Sequence, residues 1–242
     1  MPLPEAAPSV IAGPPVTAVL WDIDGTLLSS GGVASRAFLD AIADVVGRRP
    51  EGRGLDLGGR IDPEIAATLL ASVDADQALV PAVLDRLRVI TTARSAELRD
   101  HVRVLPGVPE ALGMLAAAGV LQTVVTGNIE TVGMLKLQGG QLIPPIDPAL
   151  GGFGDHGRNR VEVAELSLHR LAAAGWLPAL DQCWIVGDTP RDLLCAQALG
   201  VRCALVATGR HSLESMRALG ADVVIAGLDE SDQLSRLWNL PA

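Results

Sequence analysis

The sequence predicts an α/β fold: a doubly wound, Rossmann-like parallel sheet with an inserted all-helical domain. Two observations carry that prediction. Short, largely apolar segments of four to six residues recur along the chain, followed by Gly, Asp or Thr, and helical periodicities fill the intervals between them. The alternation lapses once, between Asp24 and Pro106, where three helix-like stretches follow one another with no strong buried strand.

The first apolar segment, Val16–Trp21, reads Val-Thr-Ala-Val-Leu-Trp and runs into Asp22, which suits a strand buried on both faces. Val33–Val46, Pro63–Ser72 and Ala78–Asp100 carry apolar residues at spacings of three and four. Gly47–Gly59, rich in Gly and Arg, reads as a loop between the first two of them. These stretches define a smaller domain over residues 33–103, hinged near Leu28–Gly32 and Arg103–Gly107, within a core built from residues 16–32 and 104–242. Beyond the insertion, strands are expected at Val120–Val125, Cys183–Val186, Arg202–Val206 and Val223–Ala226. Helices are expected at Pro109–Ala118, Glu130–Gln138, Val161–Ala174, Pro190–Leu199 and Leu213–Leu219. Residues 1–15 hold five prolines and no Lys or Arg, so they read as a flexible tail rather than a signal peptide.

Composition narrows the function. With 28 acidic against 19 basic residues and a net charge of -9, the 242-residue chain lacks the broad basic surface that nucleic acid or an anionic membrane requires. No stretch approaches the roughly 18 apolar residues of a membrane span. Any anionic substrate must therefore be captured by local groups. All but one of the basic residues are arginine, the exception being Lys136, and Tyr is absent, which excludes chemistry needing several lysines or a phenol. Cys183, Cys195 and Cys203 show no Cys-x-x-Cys spacing, so neither a disulfide framework nor a zinc site is expected and the reducing cytoplasm is the expected compartment. The sequence carries no mark of oligomeric state.

Three motifs carry chemistry. Asp22-Ile23-Asp24-Gly25-Thr26 stands at the carboxyl end of the first strand, where open parallel sheets place their sites. A turn begun by Gly25 can bring both carboxylates around one point, and two converging negative groups demand a cation. Thr126-Gly127-Asn128 follows the second strong strand and opens a helix, offering a hydroxyl and backbone N–H groups to a phosphate. Gly187-Asp188-Thr189-Pro190-Arg191-Asp192 runs from a strand into a helix begun by Pro190, with Asp192 one helical turn beyond Asp188 on the same side. Each motif alone also reads as ordinary turn and capping chemistry.

In this order the segments resemble the haloacid dehalogenase-like hydrolase superfamily, over Val16 to Leu237. Gly58-Gly59-Arg60-Ile61-Asp62-Pro63 is similar to the cap loop of its phosphoglycolate phosphatase-like and beta-phosphoglucomutase-like branch. The resemblance implies Asp22 as the nucleophile toward phosphorus and Asp24 as the general acid/base. It implies Thr126, with Gly127 and Asn128, as the phosphoryl cradle, and Arg60 as a contact to a substrate anion. Mg²⁺ would be held by Asp22, Asp188 and the Asp24 carbonyl, with Asp192 orienting a metal-bound water. The family also uses a basic residue, usually Lys, midway between the second and last motifs; Arg158 takes that place here, with Arg160 as the alternative. Lys136, only ten residues after Thr126, is expected to be a solvated helix residue. Ser29 to Gly32 would form a hinge, and the helical domain a cap closing over the site.

The activity so implied is a Mg²⁺-dependent phosphatase acting on a small phosphorylated metabolite through an aspartyl-phosphate. The reaction needs cations at the phosphoryl oxygens, because a phosphate monoester repels anionic attack. Dehalogenation is disfavoured by the acid at Asp24, and Schiff-base phosphonate cleavage by the absence of any lysine from the cap. A sugar phosphomutase and a non-catalytic binding module on the same fold are the alternatives.

Overall fold

The computed structural model describes residues 15–52, 57–229 and 238. Residues 1–14, most of the expected tail, lie outside them. Five parallel strands form the main sheet in the order β4-β1-β5-β6-β7: β1 (Ala18–Trp21), β4 (Leu121–Val124), β5 (Cys183–Gly187), β6 (Arg202–Val206) and β7 (Val223–Ile225). Strands β1 and β5 are buried throughout, as a sheet covered on both faces requires.

Register decides where the chemistry falls. Trp21, the last residue of β1, pairs with Val124 on one side and Val186 on the other. The chain therefore leaves the sheet at one level into Asp22, into Val125-Thr126 and into Gly187-Asp188, three neighbouring exits from three motifs distant in sequence.

One face of the sheet packs Val19, Trp21, Val124 and Val186 against Ala111, Leu112 and Leu115 of α5 (Val108–Ala117). The other packs Leu20, Ile185 and Leu205 against Val163 and Leu171 of α7 (Arg160–Ala173) and Leu193 and Ala196 of α8 (Pro190–Leu199). Truncating a residue of this kind, such as Leu20, to Ala typically costs about 2–5 kcal/mol. Helix α9 (Leu213–Arg217) adds Met216 to the second face.

The insertion leaves and rejoins the core through an antiparallel ribbon of β2 (Leu28–Ser29) and β3 (Arg103–Val104). Its helices are α1 (Val33–Val46), α2 (Asp62–Ala71), α3 (Val80–Ala93) and α4 (Ser95–His101). The single helix expected over Ala78–Asp100 is divided: a 3-10 turn at Gln77–Leu79 precedes α3, and the chain breaks at Arg94. Pro81 suits the first turn of α3. Near its end the Thr91 hydroxyl bonds back to the Leu87 carbonyl at 2.7 Å, and Arg94 turns to Asp40 of α1 at 2.6 Å. The core of these helices, with Phe38, Ile42, Leu69, Leu70 and Leu87, continues into Ile129 and Val132 at the start of α6 (Glu130–Gly139), so the insertion rests directly on a core helix. Among the described residues no helix is long and apolar enough to cross a membrane.

Candidate active site

Four side chains gather where β1 and β5 end. Asp22, Asp188 and Asp192, all buried, bring carboxylate oxygens within 4.8 Å of one another. Arg160, 7% exposed, donates from one guanidinium nitrogen to Asp192 Oδ1 at 2.5 Å and Asp22 Oδ1 at 3.0 Å. Its guanidinium also reaches the Val125 and Gly59 carbonyls at 3.3 Å. Asp192 is spent on scaffolding: Oδ1 takes Arg160, and Oδ2 accepts the Thr189 N–H at 3.0 Å and hydroxyl at 2.7 Å, closing a capping box at the start of α8.

Burial sets the electrostatics. It lifts the Asp22 carboxyl to about 6; Arg160 opposes the rise, while Asp192 and Asp24 add to it. Burial, then the charges of Asp22 and Asp192, lift Asp188 to about 8. Burial works against the charge of Arg160, but Asp192 and Asp22 more than offset it and hold the guanidinium above its ordinary value. Three carboxylates against one guanidinium leave the cluster two charges from neutrality. Hard carboxylate oxygens so crowded suit a divalent cation. The backbone makes room for them: Gly25 holds φ +81°, and a Cβ there would fall 2.4 Å from Asp188 Oδ2, one at Gly209 closer still.

A second group stands on the insertion side. The Asp24 carboxylate turns away from that cluster and receives Lys136 Nζ at 2.5 Å and Asn128 Nδ2 at 2.8 Å, both on Oδ2. Asn128 also accepts from Lys136 at 2.7 Å and donates to Thr126 Oγ1 at 2.7 Å. Thr126 is fully buried beside β1.

The loop before α2 lies over both groups. Its Gly58 carbonyl accepts from Arg191 at 2.7 Å, and the Asp62 N–H donates to the Gly127 carbonyl at 2.7 Å. A Cβ at Gly127 would fall 2.0 Å from the Arg60 carbonyl, so only glycine lets this loop descend so far. The Asp62 carboxylate accepts the Ile129 N–H at 2.8 Å, at the start of α6. Burial pushes Asp62 up to about 7; the Ile129 N–H and Lys136 draw it down, Asp24 and Asp155 up. The half-buried Arg60 keeps its Nε buried with no hydrogen-bond partner among the described residues.

Two expectations need correction. Arg158 does not reach the cluster: its side chain is 89% exposed and pairs with Glu162 one helical turn on, at 2.7 Å. Arg160 stands there instead, because it opens α7 and faces α8 and the sheet edge, whereas Arg158 precedes the helix. Lys136 is not solvated but 2% exposed. It lies on the stripe formed by Ile129, Val132, Gly133, Lys136 and Leu137, which packs inward, and that helical spacing was legible in the sequence. The Asp24 carboxylate is directed to Lys136, which leaves its carbonyl, the atom the resemblance implies, as the one it could offer a metal. The Asp62 side chain makes no cap hydrogen bond to its own helix and caps α6 instead.

An open parallel sheet thus carries converging carboxylates at its carboxyl edge, with a buried guanidinium among them and a helical insertion beside them. The family model described as haloacid dehalogenase-like hydrolase matches residues 19–197, and the chain belongs to that family. It is 30% identical to a phosphoglycolate phosphatase of Rhodospirillum rubrum, over 84% of either chain. It is 24% identical to a protein of Dickeya dadantii named "Probable phosphatase IndB", over 88% of this chain and 90% of that one. Among solved structures, a predicted phosphatase from Clostridium acetobutylicum superposes with a TM-score of 0.71 at 18% identity, covering 94% of this chain and all of that one.

Proposed function

We propose that this hydrolase is a Mg²⁺-dependent phosphatase that releases phosphate from a small phosphorylated metabolite through an aspartyl-phosphate. The observation that carries the reading is the cluster of Asp22, Asp188, Asp192 and Arg160 at the mouth of the sheet. Asp22 and Asp188, with the Asp24 carbonyl, would hold Mg²⁺, which when bound supplies positive charge to the phosphoryl oxygens.

The residues divide the work. Asp22 attacks phosphorus; as its Oδ–P bond forms, the bond from phosphorus to the ester oxygen breaks and Asp24 delivers a proton to the departing oxygen. Asp24 then takes a proton from water as that water attacks the aspartyl-phosphate, which restores both carboxyl groups. Arg160 holds Asp22 in place and adds charge beside it, while Asp192 anchors Arg160. The Thr126 hydroxyl and the Gly127 N–H receive the phosphoryl oxygens. Arg60, with its buried unpartnered Nε, is the group for a second anion on the substrate.

The loop at Gly58–Asp62, which rests against Gly127 and Arg160, supports a small substrate. The kinship with a phosphoglycolate phosphatase supports the same size class. The test is inorganic phosphate release from a panel of small phosphorylated acids and sugars, with and without Mg²⁺. Phosphate release by the parent and its loss in Asp22→Asn are expected. An isomerised sugar phosphate without phosphate release would identify a mutase, and no turnover of any ester would overturn the reading.

A further inference from the structure

We propose that Lys136 is the positioning residue for Asp24, holding its carboxylate by one oxygen so that the other faces the leaving group; this rests on the phosphatase reading above. A lysine ammonium carried into the interior is costly unless paired. Lys136 is the only lysine of the chain and is 2% exposed, and its hydrogen-bond partners among the described residues are Asp24 Oδ2 and Asn128 Oδ1. The site thus spends a buried charge on one carboxylate.

That carboxylate needs holding. Asp24 is 44% exposed at its side chain, so packing does not fix its rotamer. Both of its donors, Lys136 Nζ and Asn128 Nδ2, bind Oδ2, and Oδ1 makes no hydrogen bond among the described residues. Oδ1 is then the atom that gives its proton to the ester oxygen and later accepts one from water. By donating to Asn128 Oδ1, the same ammonium also orients the amide whose Nδ2 joins Asp24 to Thr126, so acid and phosphoryl cradle are set by one cation.

The helix bearing Lys136 is itself clamped. The Ile129 N–H donates to Asp62 and the Glu130 N–H donates to Asp155 at 2.9 Å; Asp155 is in turn bound by Arg88 of α3 at 2.9 Å. Carboxylates at a helix amino end are favourable. Two of them, one carried by the insertion and one tied to it, fix α6 and with it the ammonium.

A positioning role predicts a loss that depends on the leaving group. Asp24 must protonate an alkoxide but not acetate, so acetyl phosphate and an alkyl phosphate turned over by the parent form the diagnostic pair. The reading is kcat/KM, which covers steps through leaving-group departure. For Lys136→Met the alkyl ester is expected to lose roughly 10²-fold and acetyl phosphate less than about 5-fold, the range of a misplaced general acid. Asp24→Asn serves as reference and should show the same selectivity. Thermal midpoints are recorded alongside, and Lys136→Gln, which keeps a donor, is expected to show the selective loss if the Met variant proves unstable. Equal losses on both esters, or none, in a folded Lys136 variant beside a selective Asp24→Asn would overturn the proposal and leave the phosphatase reading intact. A parent that turns over no ester of the panel, or an unselective Asp24→Asn, would overturn that reading and this proposal with it.

Discussion

The two charged groups of the site differ in how they balance. At the sheet edge, Asp22, Asp188 and Asp192 face one guanidinium. On α6, Asp24 meets one ammonium, and Asp62 lies on the same helix end. The first group is short of positive charge, and its members respond as crowded acids do, with Asp22 and Asp188 pushed up by burial. The second has its own cation at hydrogen-bond distance. A divalent ion therefore has reason to enter the first and none to enter the second. On the proposed mechanism the difference divides the chemistry, with charge neutralisation and covalent attack at the sheet edge and proton transfer at Asp24, which α6 holds through Lys136.

The sharpest way to break that division is at the nucleophile. Asp22→Asn replaces the proposed nucleophilic carboxylate by a neutral amide, and kcat is expected to fall by at least about 10⁴-fold, the scale seen when a nucleophile is deleted. Chelation should silence the parent to a similar degree and be reversed by added Mg²⁺. A Lys136 variant is expected to bind Mg²⁺ as the parent does, so titration with Mg²⁺ should leave its apparent affinity unchanged; a weakened affinity would mean that the two groups are not separate.

Next comes the contrast between two arginines two residues apart. Arg160→Met strips the cation from Asp22 and Asp192, and kcat/KM should drop by about 10²–10³-fold. Stability should fall too, by about 3–5 kcal/mol, since two buried carboxylates lose their partner. Arg158→Ala touches only an exposed pair with Glu162, and its activity should stay within about 2-fold and its stability within about 0.5 kcal/mol. Phosphate-release kinetics and urea unfolding decide both; a large loss in Arg158→Ala would move the basic role back to the surface residue.

Those arginines also show what the sequence could and could not tell. Buried strands announce themselves by composition, so the five strands of the sheet fell within a residue or two of their expected places. Motifs at strand ends are likewise local signals. Whether Arg158 or Arg160 faces inward depends on where α7 begins, and one residue's change in the start turns a side chain through about 100°, the angular step of a helix of 3.6 residues per turn. Lys136 was hidden differently: charge suggested solvent, while its position on the apolar stripe of α6 pointed inward. The partner that decided between them, Asp24, lies 112 residues away in sequence. Asp62 capping α6 rather than its own helix is a contact of the same long-range kind.

Arg60 tests the reach of the loop above the site. If it meets a second anion, Arg60→Ala should raise KM about 10-fold for an ester bearing a carboxylate or second phosphate, with kcat nearly unchanged, as for loss of uniform binding. Acetyl phosphate, which lacks the second anion, should be unaffected. Equal losses on both would return Arg60 to a structural part.

Asp62 gives the finest division between the groups. Its carboxyl is pushed from 3.8 to about 7 by burial, against the pull of the Ile129 N–H and Lys136. Between those two values the folded protein keeps a proton that the unfolded chain has released. The folded state thus binds more protons, and unfolding free energy falls as pH rises from about 4 to 7. A shift of this size corresponds to a loss on the order of 4 kcal/mol. Asp62→Asn keeps an oxygen for the Ile129 N–H and has nothing to titrate. Its stability should match the parent's near pH 4 and exceed it near pH 8, measured by urea unfolding across the range. Parallel curves would mean that Asp62 is already ionised in the folded state, and that the amino end of α6 with Lys136 carries more positive charge than Asp24 alone consumes.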